Sequence, residues 1–113
     1  MEVSVLKLDW HDVARDREVP AKIYFPKEGA GPFPVVIFSH GLGGSREGYE
    51  YLGLHWAGCG YVRVHLQHIG SDDSVWKDLP AAERGKSLQK AAANLSNALN
   101  RPPDGQFALD QIE

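Results

Sequence analysis

The sequence predicts an α/β fold built around a strand–helix–strand unit, and three stretches carry that expectation. Val35-Val36-Ile37-Phe38, bounded by Pro34 and a glycine cluster, has the unbroken apolar character of a strand buried on both faces, as in a parallel sheet. Ser45 to Gly58 then has helical periodicity, with Tyr49, Leu52 and Trp56 at spacings of three and four. Tyr61 to Gln67 follows with Val62, Val64 and Leu66 alternating against Arg63, His65 and Gln67, a strand pattern. Two strands joined by a helix of about four turns should run parallel with a right-handed crossover.

The other elements follow in chain order. Val3 to Trp10 alternates apolar and polar residues as a strand does. His11 to Glu18 is charged and turn-like, and Pro20 to Pro26 reads as a second strand framed by prolines. Lys27 to Phe33, with Gly29, Gly31 and Pro32, is a loop. The buried strand, Pro34 to Ser39, comes next. Ser45 is placed to cap the following helix, and Gly58 and Gly60 to end it. Cys59, between those glycines, is expected to be buried packing. His68 to Pro80 is a polar loop at the carboxyl end of the fourth strand. Pro80 to Asn100 is expected to be one amphipathic helix with Leu88, Ala91, Ala92, Leu95, Ala98 and Leu99 on one stripe. Arg101-Pro102-Pro103-Asp104-Gly105 should stop it, and Phe107 to Glu113 can open another helix.

Composition narrows the function classes. A chain of 113 residues holds a single core, and 42% apolar with 24% charged residues is ordinary for a soluble domain. A net charge of −3 without a Lys/Arg cluster argues against nucleic acid or an anionic membrane as partner. One cysteine excludes an intrachain disulfide framework. No stretch has the length of a membrane span, and the first residues lack a signal-peptide pattern, so a cytoplasmic location is the default expectation.

The strongest chemical signal is Ser39-His40-Gly41-Leu42-Gly43-Gly44, at the carboxyl end of the buried strand, where α/β sheets bind ligands. Glycines there let backbone approach a ligand closely; a plain turn closing the strand–helix–strand unit has the same glycines. Gly41-x-Gly43 lacks the third glycine of a dinucleotide fingerprint, and no Lys-Ser/Thr follows Gly48, which disfavours phosphate loops. His65 and His68 with Asp72 and Asp73 hint at a metal, but residues three apart on a strand point to opposite faces, so a cleft-lining loop with His68, Ser71 and Asp72 is the preferred reading. No metal or cofactor is expected.

Phe38 to Gly44, Tyr49, Leu52 to Ala57, Gly60-Tyr61-Val62, His65 to Asp72 and the upstream Arg15 to Pro26 together resemble the dienelactone-hydrolase-like branch of the α/β-hydrolases, and are similar to its platelet-activating-factor acetylhydrolases. The resemblance covers nearly the whole chain. It implies the N-terminal part of an α/β-hydrolase fold: about four strands, mostly parallel with an antiparallel N-terminal strand, and two to three helices. It also implies that His40-Gly41-Leu42-Gly43-Gly44 is an oxyanion loop, with the Leu42 N–H as donor and His40, Gly41, Gly43 and Gly44 shaping it. The substrate of the complete enzyme would be a small-molecule carboxylic ester or lactone.

The family's nucleophile sits on a Gly-x-Ser-x-Gly elbow after the fifth strand, with an acid and a histidine later. No Gly-x-Ser-x-Gly occurs here, and Ser45 in Gly44-Ser45-Arg46-Glu47-Gly48 stands one place too early. Residues 1–113 are therefore expected to be a single partial domain, truncated before the elbow strand, with no nucleophile, acid or base of its own and no activity alone. The family strand order (first, second, fourth, third, fifth) would leave Pro34–Ser39 at an open edge, where self-association is expected. The alternative is a non-catalytic α/β module that binds a partner through that edge.

Overall fold

The computed structural model describes residues 2–29 and 31–112; Met1, Ala30 and Glu113, and the side chain of Leu95, lie outside the described residues. Four strands form one mixed sheet: β1 (Val3–Asp12), β2 (Arg17–Pro26), β3 (Val35–Ser39) and β4 (Val62–Leu66), in the order β1-β2-β4-β3. Helix α1 (Glu50–Gly58) connects β3 to β4, and α2 (Ala81–Ala93) and α3 (Leu95–Ile112) follow a short 3-10 turn at Asp73–Val75.

The hairpin is longer than its prolines suggested. β1 runs on through His11 and Asp12, and β2 starts at Arg17, so the charged segment is reduced to a tight turn with Asp16 in the left-handed region (φ 47°). A turn that short forces β1 and β2 antiparallel, from Val3 opposite Pro26 to Asp12 opposite Arg17. β2 is also antiparallel to β4, whereas β3 and β4 pair in parallel as the helical crossover requires. The reversed strand is thus β2, which refines the expected antiparallel N-terminal strand by one element.

Register gives the sheet two unlike faces. Ala21, Ile23, Val64 and Leu66 lie opposite one another and, with Val19 and Ala108 of α3, make the buried aliphatic core. Lys22 and Tyr24 pair with His65 and Arg63 on the other face, beneath α1. There Arg63 lies between the rings of Phe38 and Trp56, 4.9 and 5.3 Å from their centres. β3 is an edge strand among the described residues, half-buried rather than enclosed on both faces, because β4 covers only one side of it.

Three helix expectations need correction. Ser45 does not cap α1. Its hydroxyl accepts the Glu47 N–H at 3.2 Å in a local turn, and the helix begins only after Tyr49, which adopts φ 58°. The buried positions of α1 are Gly53 and Ala57, with Leu52 and Trp56 flanking them and Tyr49 exposed. Cys59 is exposed rather than buried, since the helix ends there and the chain turns through Gly60 (φ 95°).

Pro80 to Asn100 is two helices, not one. Asn94 is extended (ψ 107°), and its Oδ1 accepts from Ser96 N at 3.0 Å and Ser96 Oγ at 2.8 Å, an asparagine cap that starts α3. α2 has no buried residue, and Leu99 of the expected stripe is exposed. Arg101 to Gly105 does not stop the helix: α3 continues through Pro102 and Pro103. A proline inside a helix costs roughly 3 kcal/mol; here Arg101 and Asp104 on either side of the pair are pinned by tertiary bonds described below.

Gly53 is where α1 meets the sheet. A Cβ at that position would stand 2.4 Å from Tyr24 Cδ2, so only glycine lets the helix lie flat on the buried ring. Gly53→Ala should lower the unfolding free energy by about 1–3 kcal/mol through overpacking. Gly85→Ala, whose Cβ meets nothing within 4 Å in exposed α2, should raise it by up to about 1 kcal/mol through helix propensity. Urea denaturation of the two variants checks the pair.

Candidate functional site

The site is built where β3 and β4 end. Gly44 N–H donates to Gly41 O at 3.0 Å, closing a turn whose third residue, Gly43, has φ 82°. That positive φ is what a type II turn demands of its third position, hence glycine. Gly43 is also boxed in: a Cβ would stand 3.0 Å from both Leu88 Cδ2 and Trp76 Nε1. At Gly44 a Cβ would be 2.9 Å from the His40 Cβ, whereas Gly41 faces open space. Leu42 occupies the second position of the turn. Its side chain is exposed, and its N–H has no hydrogen-bond partner among the described residues.

A second loop, after β4, is fastened to the first. Gly43 N–H donates to Ser71 O at 2.9 Å, Asp73 N–H to Gly44 O at 2.6 Å, and Trp76 Nε1–H to Gly43 O at 2.6 Å. Gly44 and Asp72 form a parallel bridge beyond the strand ends. Gln67 Nε2 donates to Asp72 Oδ2 at 2.6 Å.

His40 fixes the start of the turn. His68 N–H donates to His40 Nε2 at 2.8 Å, so Nε2 is the acceptor and Nδ1 bears the hydrogen, which it gives to Gly41 O at 2.7 Å. Both ring nitrogens are thereby occupied. Burial pushes its imidazole below the ordinary histidine range, against the opposing hydrogen bond to Gly41. Arg101 of α3 adds the outer clamp, donating through Nη1 to His40 O at 2.7 Å and through Nε to Ser71 Oγ at 3.2 Å.

His68, Ser71 and Asp72, expected along a cleft, are buried, at 0, 4 and 0% exposure, and bond to protein groups. His65 and His68 do not converge on a metal: no cluster of three or more metal-ligating side chains occurs among the described residues. His65 lies under α1 between Tyr24 and Phe38. A shallow cavity of about 210 Å³ opens beside the turn, lined by Leu42, Ser71, Ala91, Asn94, Asn97 and Arg101.

The sequence reading missed the residues that hold this assembly. Asp104, fully buried, accepts from Arg15 Nη2 at 2.8 Å, from Arg17 Nε and Nη2 at 2.8 and 2.9 Å, and from His68 Nδ1 at 2.8 Å. Arg15 also pairs with Asp12, and Arg17 Nη2 with Ile69 O at 2.8 Å. Burial alone would raise the Asp104 carboxyl, but the hydrogen bonds from His68, Arg17 and Arg15 hold it well below the usual carboxylate range. His68 Nε2 in turn meets Ser39 Oγ at 2.7 Å. No local signal marks these partners, which lie 29 to 89 residues apart in sequence.

Residues 4–97 match the family described as platelet-activating factor acetylhydrolase, isoform II. The chain is similar to the platelet-activating factor acetylhydrolase of Cavia porcellus, 37% identical over 71 residues, which are 60% of this chain and 16% of that protein. For the Canis lupus familiaris acetylhydrolase the identity is 29% over 105 residues, covering 72% of this chain and 24% of that protein. The chain therefore spans less than a quarter of the length of these relatives. Among solved structures, an acetyl xylan esterase from Paenibacillus sp. R4 superposes with a TM-score of 0.52 at 24% identity, over 61% of this chain and 22% of that one. At that identity the likeness speaks for the fold alone, part of an α/β-hydrolase fold.

The charged centre and the buried imidazoles predict a two-limbed pH response. His65, pushed down to about 4 by burial and by the Arg63 charge, is protonated more readily unfolded (pKa about 6.5) than folded. Its stabilising contribution is complete above about pH 6.5 and is lost as pH falls toward 4. The depressed Asp104 acts in the same direction but lower, its contribution present above about pH 4 and lost below it. Thermal melts across pH should show both limbs, and His65→Phe should shrink the upper one to the smaller share that the buried His40 contributes. Asp104→Ala, which leaves Arg15 and Arg17 without their shared buried anion, should cost about 3–5 kcal/mol at pH 7.

Proposed function

The chain belongs to the platelet-activating factor acetylhydrolase, isoform II, family, and on that premise we propose that it supplies the oxyanion-binding half of a serine ester hydrolase site. The donor is the Leu42 N–H, with His40, Gly41, Gly43 and Gly44 shaping the turn that presents it. The observation that carries this reading is a backbone N–H without a partner among the described residues, on a turn held through Gly41 O and through both backbone groups of Gly43 and Gly44. An acyl-transfer intermediate develops negative charge on oxygen, and a fixed donor stabilises it without reorganisation at the moment of reaction. His68, Ser71 and Asp72 serve the site from beneath, by holding the turn.

The nucleophile of that reaction belongs to a segment outside these 113 residues, since no Gly-x-Ser-x-Gly occurs among them and the chain matches under a quarter of its relatives' length. On this reading residues 1–113 form one partial domain. A serine there attacks the ester carbonyl, histidine takes the proton, and water releases the acyl-enzyme. The substrate class is a small carboxylic ester, and no cofactor or metal takes part. Proline suits the second position of a turn and removes the N–H, so Leu42→Pro isolates the donor. In the complete protein encoded by the gene, Leu42→Pro should lower kcat by about 10²–10³-fold with little change in KM. An unchanged kcat would overturn the assignment.

A second reading, association through the sheet edge, is favoured by β3, whose outer backbone groups are unpaired among the described residues and whose Val35 is exposed. Sedimentation of the 113-residue chain should show a weight-average mass that rises with concentration. A monomer throughout the micromolar to millimolar range would exclude it.

A further inference from the structure

Ser39, His68 and Asp104 form a second, separate line of chemistry. Asp104 is ionised and accepts from two guanidinium groups, so the hydrogen of its 2.8 Å bond to His68 Nδ1 resides on the imidazole. That tautomer leaves Nε2 as a bare lone pair, 2.7 Å from Ser39 Oγ, and the hydroxyl must donate to it. Serine to histidine to aspartate, with these distances and this tautomer, is the arrangement by which a weak hydroxyl nucleophile is activated, and such triads are recognised by geometry rather than by chain order.

Accessibility points the same way. His68 and Asp104 are fully buried, but Ser39 is exposed, at the carboxyl end of β3 where ligands approach an α/β sheet. The other exposed serines differ. Ser74 Oγ donates to the Asp72 carboxylate and Ser96 Oγ to the Asn94 amide, and neither faces an imidazole. The sequence offered no hint, because Ser39 has no elbow glycines and its partners are 29 and 65 residues away.

We propose that Ser39 is a nucleophile activated by His68 and Asp104, able to accept an acyl or phosphoryl group from an activated donor. In the step with diisopropyl fluorophosphate, Ser39 Oγ attacks phosphorus and an O–P bond forms. The P–F bond breaks, fluoride leaves, and the hydroxyl proton passes to His68 Nε2, giving an imidazolium that Asp104 stabilises. Because Nε2 is buried beneath Ser39, the site suits donors whose leaving group departs as an anion and needs no proton. The step does not involve Leu42, and it is distinct from catalysis at an elbow serine.

The test is mass spectrometry of the 113-residue chain after exposure to diisopropyl fluorophosphate, with peptide mapping of the adduct. General-base assistance should make Ser39 react at least about 10²-fold faster than Ser96, an internal reference on the same molecule. Ser39→Ala should abolish the fast adduct. His68→Gln should slow Ser39 to the Ser96 rate while circular dichroism reports an unchanged fold. Should that variant unfold, the Ser39-to-Ser96 ratio in the unmodified chain decides alone. A wild-type chain in which Ser39 reacts no faster than Ser96, or acquires no adduct, would overturn the proposal.

Discussion

The buried carboxylate of Asp104 is the constraint on which the rest of the structure depends. A lone carboxylate inside a protein is too costly to keep charged, and this one is kept so by two guanidinium groups and an imidazole. Counting Asp12, which pairs with Arg15, two anions face two cations and the cluster is neutral. Each member arrives on a different element: Arg15 from the hairpin turn, Arg17 from the start of β2, His68 from the loop after β4, Asp104 from α3. Removing Asp104, Arg15 or Arg17 leaves a charge of the cluster uncompensated, and removing His68 takes away a hydrogen bond from the buried carboxylate. The cluster therefore specifies where α3 crosses the sheet, more than it adds to the hydrophobic core.

From that centre, order spreads to the glycine turn by short steps. His68 passes the constraint to Ser39 through its ring and to His40 through its backbone N–H. Arg101, one turn before Asp104 on α3, reaches the His40 carbonyl. The turn itself is then bonded to residues 71, 73 and 76. The Leu42 N–H is fixed through its neighbours and has no partner among the described residues, which is what the proposed donor role requires of a group that must not relax when charge appears.

The same cluster explains why local reading of the C-terminal half failed. Arg101-Pro102-Pro103-Asp104-Gly105 has every mark of a helix stop, yet α3 passes through it. Two prolines and a glycine together weigh against the helix by roughly 7 kcal/mol of propensity, and it is the tertiary bonds of Arg101 and Asp104 that hold α3 through them. At Asn94 the reverse occurred: amphipathic spacing ran smoothly through a position where an asparagine side chain caps a new helix. In α1 the stripe Tyr49-Leu52-Trp56 looked like the core face, but the helix turned its smallest residues, Gly53 and Ala57, to the sheet because Tyr24 already filled that space.

What the sequence determined by itself was the set of elements in its first two-thirds, their connection, and the location of the glycine turn. Periodicity and glycine placement are local properties, set by backbone sterics and by which face of a strand or helix must leave water. The strand order followed once the pattern was matched to a fold. Only the tertiary structure decided that β2 is the reversed strand, that Asp104 is the buried hub, and that Ser39 meets His68. These are contacts between residues 29 to 89 positions apart. Their strength comes from exclusion of water around charges that the finished fold brings together, and no short stretch of sequence carries that information.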